Sequence, residues 1–236
     1  MNLINNIFVK IKSGRYIYKL KFLILKLKNK FLNIQLNYYG SCYGGWFIVN
    51  DDICSKSVIY SFGIGEDISF DQKLIKEKDV IIHAFDPTPR SWVHVNKINE
   101  PRIKLYKYGL SNIDCIKNFY APQNKDHVSY STYRNEQSTE SIVDVQFYCL
   151  NSIMKKLNHD HIDLLKLDIE GEEFNVLEDI VNSHILPKQI LVEFHPGKSK
   201  CFRNKHKFLI NFLQDLGYNL VYFSHGFREC TFLLKS

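Results

Sequence analysis

No aspartate or glutamate occurs before Asp51, although Lys10, Lys12, Arg15, Lys19, Lys21, Lys26, Lys28 and Lys30 all fall in that segment. These eight cations exceed the whole-chain excess of +6, so residues 51–236 are slightly acidic. That balance excludes a basic domain surface for reading nucleic acid. The six cysteines form no CxxC pair and no Cys/His ligand spacing, and nothing resembles a cleavable signal peptide. A reduced, cytoplasmic setting is therefore expected. No apolar run approaches the ~20 residues needed to span a bilayer, because lysine interrupts the N-terminal segment every few positions. A composition break that would separate two folding units is also missing, as are internal repeats and low-complexity tracts. The 236 residues, 45% of them hydrophobic, read as one domain of 43–236 preceded by a basic extension, 1–42.

Within the extension, Ile17, Leu20, Ile24, Leu27 and Phe31 recur at helical spacing over 16–32, with Lys19, Lys26 and Lys30 on the opposite side. Such a basic amphipathic helix has three destinations for its apolar face. It packs on the domain, it joins a second subunit in a homodimer, or it brings residues 1–35 to anionic lipid at the inner face of a membrane.

From Lys56 onward, strands and helices alternate. Strands are expected at 58–62, 80–85, 103–108, 162–167 and 189–194, and helices at 68–78, 89–98, 151–157, 172–183 and 205–216. Two closing strands follow at 218–223 and 230–234. The rhythm breaks at 113–148, where strands at 117–120 and 143–148 flank a polar loop carrying His127, Tyr130 and Tyr133. Strands regularly separated by helices build a mostly parallel sheet covered on both faces. Sheets of this kind bind ligands beyond the carboxyl ends of their strands.

The residues after each strand are therefore the candidate site. Gly63, Gly65, Glu66 and Asp67 follow the first strand in "YSFGIGED". A dinucleotide fingerprint needs a third glycine where Ile68 stands, and two acids would repel a pyrophosphate, so a phosphate-bearing cofactor is disfavoured. Asp86, 21 positions after Gly65, is placed to accept hydrogen bonds from the ribose hydroxyls of an adenosine group. Leu110 offers an apolar face to an adenine, and Ser111 or Asn112 polar edges. In "LLKLDIEGEEF", Asp168 and Glu170 share one side if the backbone stays extended, and so close a pair needs a cation, a donor or a shared proton. Glu172 and Glu173 read as acids in a first helical turn. His195, in "LVEFHP", is a general base, a metal ligand or a solvated loop residue.

Taken in this order and spacing, "YSFGIGEDISFD", "HAFDPTP", "YGLSN", "DHIDLLKLDIEGEEFNVLEDI" and "ILVEFHP", with "YGGW" at 43–46 upstream, resemble the FkbM-type S-adenosylmethionine-dependent methyltransferases. The resemblance runs from about Tyr43 to the C-terminus. Its most specific element is the D-x-E-G-x-E block and its least specific the G-x-G. Many members carry an acid before the glycines and Asn after them; here Ser61 and Phe62 precede and acids follow, as in a GED-bearing branch.

The resemblance implies a Rossmann-like class I methyltransferase fold of the α/β class, with a seven-stranded mostly parallel sheet, helices on both faces and an N-terminal helical extension. It puts Gly63, Gly65 and Glu66 at the methionine part of S-adenosyl-L-methionine and Asp86 at its ribose. It sets Asp168, Glu170 and His195 near the transferred methyl, with or without a divalent metal between them. O-methylation of a sugar, glycan or small-molecule hydroxyl, as in polysaccharide biosynthesis, is the implied reaction. The competing readings are an NAD-dependent sugar oxidoreductase and a catalytically silent binding module.

Overall fold

The computed structural model describes residues 15–122, 138–195 and 200–235. Helix α1 (Arg15–Phe31) leads into an antiparallel ribbon, β1 (Leu36–Tyr39) and β2 (Trp46–Val49). Then come β3 (Ile59–Phe62), α2 (Ser69–Lys78), β4 (Ile82–Phe85), α3 (Pro89–Ile98) and β5 (Ile103–Tyr106). A side sheet follows, made of β6 (Gly109–Leu110), β7 (Cys115–Pro122) and β8 (Ser138–Tyr148). The alternation resumes with α4 (Leu150–Leu157), β9 (Leu164–Leu167), α5 (Glu173–Asn182), β10 (Gln189–Glu193) and α6 (Lys200–Asp215). It closes on β11 (Tyr218–Phe223), a 3-10 turn (His225–Phe227) and β12 (Glu229–Leu234).

The main sheet has seven strands in the order β11-β12-β10-β9-β3-β4-β5, parallel from β10 to β5, with β12 antiparallel to both of its neighbours. This is the expected α/β, Rossmann-like architecture with one reversed strand. Its central strands are buried on both faces. Tyr60, Phe62, Leu165 and Leu167 join one core with α4, α5 and α6, whereas Ile59, Leu164, Ile82 and Leu191 join another with α2 and α3. Each fully buried Leu or Ile contributes roughly 1.5–3 kcal/mol, which explains why β3 and β9 tolerate so few polar residues. The two they carry, Ser61 and Lys166, are therefore informative. Asp79, Asn99 and Asn158 end α2, α3 and α4 in the left-handed conformation that short amide and acid side chains tolerate best.

The β1–β2 ribbon was not legible in the sequence as strands. Fully buried Gln189 of β10 ties it to the main sheet, donating to the Val49 carbonyl at 2.7 Å and accepting the Val49 N–H at 2.9 Å. Thr231 Oγ1 donates to the Phe47 carbonyl at 2.7 Å. The expected boundary between 42 and 43 falls in the connection of this ribbon, so its two strands come one from each side of that division. The stripe expected on α1 also differs in its role. Tyr18, Phe22 and Leu25 pack on the core, and Asn29 donates to the Val221 carbonyl at 2.7 Å, while Leu20, Leu27 and Phe31 are exposed.

The polar loop with His127, Tyr130 and Tyr133 lies outside the described residues. Among those described, no helix is long and apolar enough to cross a membrane, and Cys42, Cys54, Cys115, Cys149 and Cys230 are free thiols.

Candidate active site

From β3 the chain runs outward to β4 and β5 on one side, and from β9 to β10 on the other, so the ends of β3 and β9 flank the crevice of the sheet. Gly63 leaves β3 at φ +70, and a Cβ there would lie 1.6 Å from the Asp168 carbonyl oxygen, so only glycine lets the two strand ends meet. Gly65, at φ +57, has nothing within 4 Å of where its Cβ would stand. Its N–H donates to Asp86 Oδ2 at 3.0 Å. Asp86 Oδ1 accepts the Thr88 N–H at 2.8 Å and its hydroxyl at 2.6 Å. The carboxylate thus brackets the glycine turn against the end of β4 while facing the crevice.

Beyond the turn, Glu66 pairs with Arg90 at 3.2 Å on the rim. Asp67 accepts the Ser69 N–H at 3.0 Å at the start of α2, and the Ser41 hydroxyl at 2.5 Å. Burial pushes the Asp67 carboxyl up, but its hydrogen bonds with Ser41, Ser69 and Gly44 outweigh that and hold it below the usual range. Beneath the turn, buried Lys166 donates to the Gly63 carbonyl at 2.9 Å and stands 3.9 Å from Asp168 Oδ2.

A cavity of about 820 Å³ opens over these strand ends. Eight of the nine residues expected at the site line it: Gly63, Gly65, Glu66, Asp86 and Leu110 from the segments after β3 and β4 and from β6, and Asp168, Glu170 and His195 from the segments after β9 and β10. Ser111 does not. Its side chain is fully buried, with the hydroxyl donating to Glu172 Oε2 at 3.1 Å and accepting from Lys117 Nζ at 2.6 Å. Its position directly after a strand signalled a ligand contact, but a half-buried Lys117–Glu172 ion pair takes it up.

The ends of β9 and β10 carry Asp168, Glu170, Glu193 and His195. Glu170 reaches the cavity by an unexpected route. Its φ of +53 breaks the extended path assumed from the Asp168/Glu170 spacing, a conformation costing about 1–2 kcal/mol for a non-glycine residue. Gly171, at φ +111, completes the turn into α5. His195 Nε2 then lies 3.6 Å from Asp168 Oδ1, 3.7 Å from Glu170 Oε2 and 3.8 Å from Glu193 Oε1. Glu193 is also held by Arg228 at 2.6 Å.

Glu173 organises this group. It has no exposed surface, accepts the N–H groups of Ile169 and Gly171 at 3.2 Å each, and meets His195 Nδ1 at 2.7 Å. Burial disfavours charge on His195, but the hydrogen bond to Glu173 and the charges of Glu173, Glu170 and Asp168 win, raising the imidazole to about 9. Burial pushes Asp168 up to about 6, with Glu193 and Glu170 reinforcing it against the lowering pull of Lys166 and His195. One ligand atom each from Asp168, Glu193 and His195 lie within 4.8 Å of one another, a set able to hold a divalent cation.

Three participants were not identified from the sequence. Glu173 had a signal: it precedes Val176, Leu177 and Ile180 by three, four and seven positions, so it belongs to the buried stripe of α5. Lys166 had one too, as a cation inside an apolar strand. Glu193 offered none beyond the alternation of β10.

The cavity lining includes seven carboxylates against Lys166, Arg228 and His195. It therefore suits a cationic guest and not a pyrophosphate. The Methyltransferase FkbM domain matches residues 52–220. Probable methyltransferase-like protein 24 of Rattus norvegicus is 27% identical over 139 residues, and that of Homo sapiens 26%. Each match covers 58% of this chain and only 32% of the relative's length. In structure, the fold aligns with methyltransferase FkbM from Methylobacillus flagellatus KT at a TM-score of 0.53 and 11% identity, over 98% of this chain and 58% of that one. With most of β3 to β11 inside the matched domain, the chain belongs to the FkbM methyltransferase family.

Proposed function

We propose that the protein is an S-adenosylmethionine-dependent O-methyltransferase acting on a neutral sugar, glycan or small-molecule hydroxyl. The observation that carries this reading is that one cavity is lined both by a glycine turn bracketed by Asp86 and by an Asp168–His195 pair. The cofactor fits the residues present. Its adenosine ribose matches Asp86, the open space at Gly65 accommodates a close ligand, and the carboxylate excess suits its ammonium and sulfonium. When bound, it supplies an electrophilic methyl group.

The chain's own part is orientation and proton removal. With a proton affinity near pH 6, Asp168 is ionised at neutral pH and still basic enough to take the proton of an acceptor hydroxyl. His195, raised to about 9, is an imidazolium there and serves as donor, its Nε2 turned toward Asp168 and Glu170 by the Glu173 contact at Nδ1. In this reading Asp168 is the base and His195 the hydrogen-bond donor. The same carboxylate excess disfavours phosphorylated or carboxylated acceptors. Thermal-shift titration with S-adenosylmethionine, S-adenosylhomocysteine and NAD, followed by labelled methyl transfer to neutral glycans and glycolipids, tests the reading. Stabilisation by NAD alone would overturn it in favour of an oxidoreductase.

A second reading replaces the imidazolium with a divalent cation on Asp168, Glu193 and His195, favoured by their mutual spacing. Activity lost on chelation and restored by Mg²⁺ or Mn²⁺ selects it; activity indifferent to chelation selects the general-base version.

A further inference from the structure

Helix α1 has two apolar faces, and only one of them is used by the fold. At about 100° per residue, Tyr18, Phe22, Leu25 and Asn29 share one side, and these are the residues that meet β11 and the core. Leu20, Leu23, Leu27 and Phe31 lie on the opposite side, 50%, 54%, 59% and 90% exposed. Few single helices of a folded domain keep so continuous an apolar row in water. Exposed Lys19, Lys26 and Lys30 border the row on one flank. Half-buried Lys21 and Lys28 border it on the other. No acid occurs in the helix.

We infer that this outer face of α1 is a docking surface for an anionic lipid bilayer. The occupant follows from charge. An apolar ridge between two lysine rows matches acyl chains bordered by anionic headgroups, each lysine near such a surface adding its own attraction. A second copy of the chain laid ridge to ridge would set lysine rows of the same sign beside each other with no carboxylate of α1 to neutralise them, so self-association is disfavoured. The ridge is also rigidly mounted. Tyr18 packs on Phe223 and His225, and the Lys21 ammonium sits 5.1 Å from the Phe227 ring. That turn leads directly into Arg228 and Glu229, which line the rim of the cavity. A bilayer held by the outer face of α1 is therefore tied, through the helix's inner face, to the turn that precedes Arg228 and Glu229.

Truncating α1 would remove core residues Phe22 and Leu25, so the test uses substitutions on the outer face of the full chain. The wild type is sedimented with phosphatidylcholine vesicles with and without 30% phosphatidylserine, at low and high salt, beside a Leu20→Ser/Leu27→Ser/Phe31→Ser variant. A Lys19→Glu/Lys26→Glu/Lys30→Glu variant forms the fourth arm. The wild type is expected to bind the phosphatidylserine vesicles at least tenfold better than neutral ones, with the preference shrinking in high salt. Each variant should lose at least tenfold of that binding while keeping the wild-type melting temperature. Binding unchanged in the serine variant, or no binding of the wild type to anionic vesicles, would overturn the inference. So would a wild-type dimer that the serine variant dissociates in analytical ultracentrifugation, which would make the face a subunit interface.

Discussion

The fully buried carboxylate of Glu173 meets His195 Nδ1 at 2.7 Å and, through its other contacts, holds the turn that carries Asp168 and Glu170. One acid thus fixes both the charge state and the position of the groups facing the cavity. Glu173→Gln keeps a hydrogen-bonding partner and removes the negative charge. His195 should then titrate at least one pH unit below its present value of about 9, as read by imidazole NMR shifts. The high-pH limb of the turnover profile should move down with it, because the imidazole becomes neutral at a lower pH. An unchanged His195 titration would show that Glu173 acts only as packing.

The pH profile follows from the same pair. Turnover should rise as Asp168 ionises near pH 6 and fall as His195 loses its proton near 9, giving a bell with a broad neutral plateau. Stability has a different shape. His195 binds its proton more tightly in the folded chain, moving from 6.5 to about 9, so its stabilisation is complete below 6.5 and is lost as pH climbs through 9. The loss is on the order of 3 kcal/mol. Asp168 acts in the same direction at lower pH, because its raised value makes ionisation unfavourable to the fold as pH passes from 3.8 to 6. Denaturant unfolding at a series of pH values between 4 and 9.5 should therefore show no gain in stability from this pair at high pH.

His195→Ala and Asp168→Asn should each reduce turnover by about 10²–10⁴. S-adenosylmethionine affinity measured by calorimetry should barely move, since Asp86 and the glycine turn are untouched. Near-normal turnover in both variants would remove these residues from the mechanism.

Asp86 binds protein groups with both oxygens, so its replacement has two effects. Asp86→Ala should weaken cofactor binding by about 1.5–3 kcal/mol and also lower the melting temperature, because the Gly65 and Thr88 N–H groups lose their acceptor. Asp86→Ser, which keeps an acceptor for one of them, should recover part of the stability but little of the affinity. Full affinity in either variant would exclude the ribose contact.

How far the sequence revealed this site depends on what kind of contact was at stake. Strand ends could be placed because β3, β4, β9 and β10 are short apolar runs ended by glycine or acid, and a parallel sheet gathers such ends at one edge. That is why Asp86, Asp168 and His195 could be placed at the cavity from the sequence. The side of α1 that packs was not found, because both of its faces are apolar at helical spacing and periodicity cannot rank them. Glu173 was taken for a helix-start acid because that role and a buried hydrogen-bonding role occupy the same position. The β1–β2 ribbon escaped because what secures it is long-range: the Gln189 amide reaches back 140 residues to Val49.

The two glycines of the turn make the sharpest remaining test, because their surroundings differ while their backbone does not. Both have positive φ, so an alanine at either costs about 1–2 kcal/mol in backbone strain alone. At Gly63 the new Cβ would also stand 1.6 Å from the Asp168 carbonyl oxygen, a backbone atom that cannot rotate away. Gly63→Ala must therefore push β3 and β9 apart at the crevice, and it should unfold the domain or at least lose turnover together with many degrees of melting temperature. At Gly65 the Cβ meets nothing within 4 Å, so Gly65→Ala should fold with a loss close to the strain term. Its methyl group, however, enters the space next to Asp86, where the ribose and methionine parts of the cofactor are expected to lie. Calorimetry should thus give at least tenfold weaker S-adenosylmethionine binding in a Gly65→Ala protein whose circular dichroism is native. Wild-type affinity there would mean that the cofactor does not approach the turn, and the assignment of Gly63–Asp86 as its cradle would fail with it.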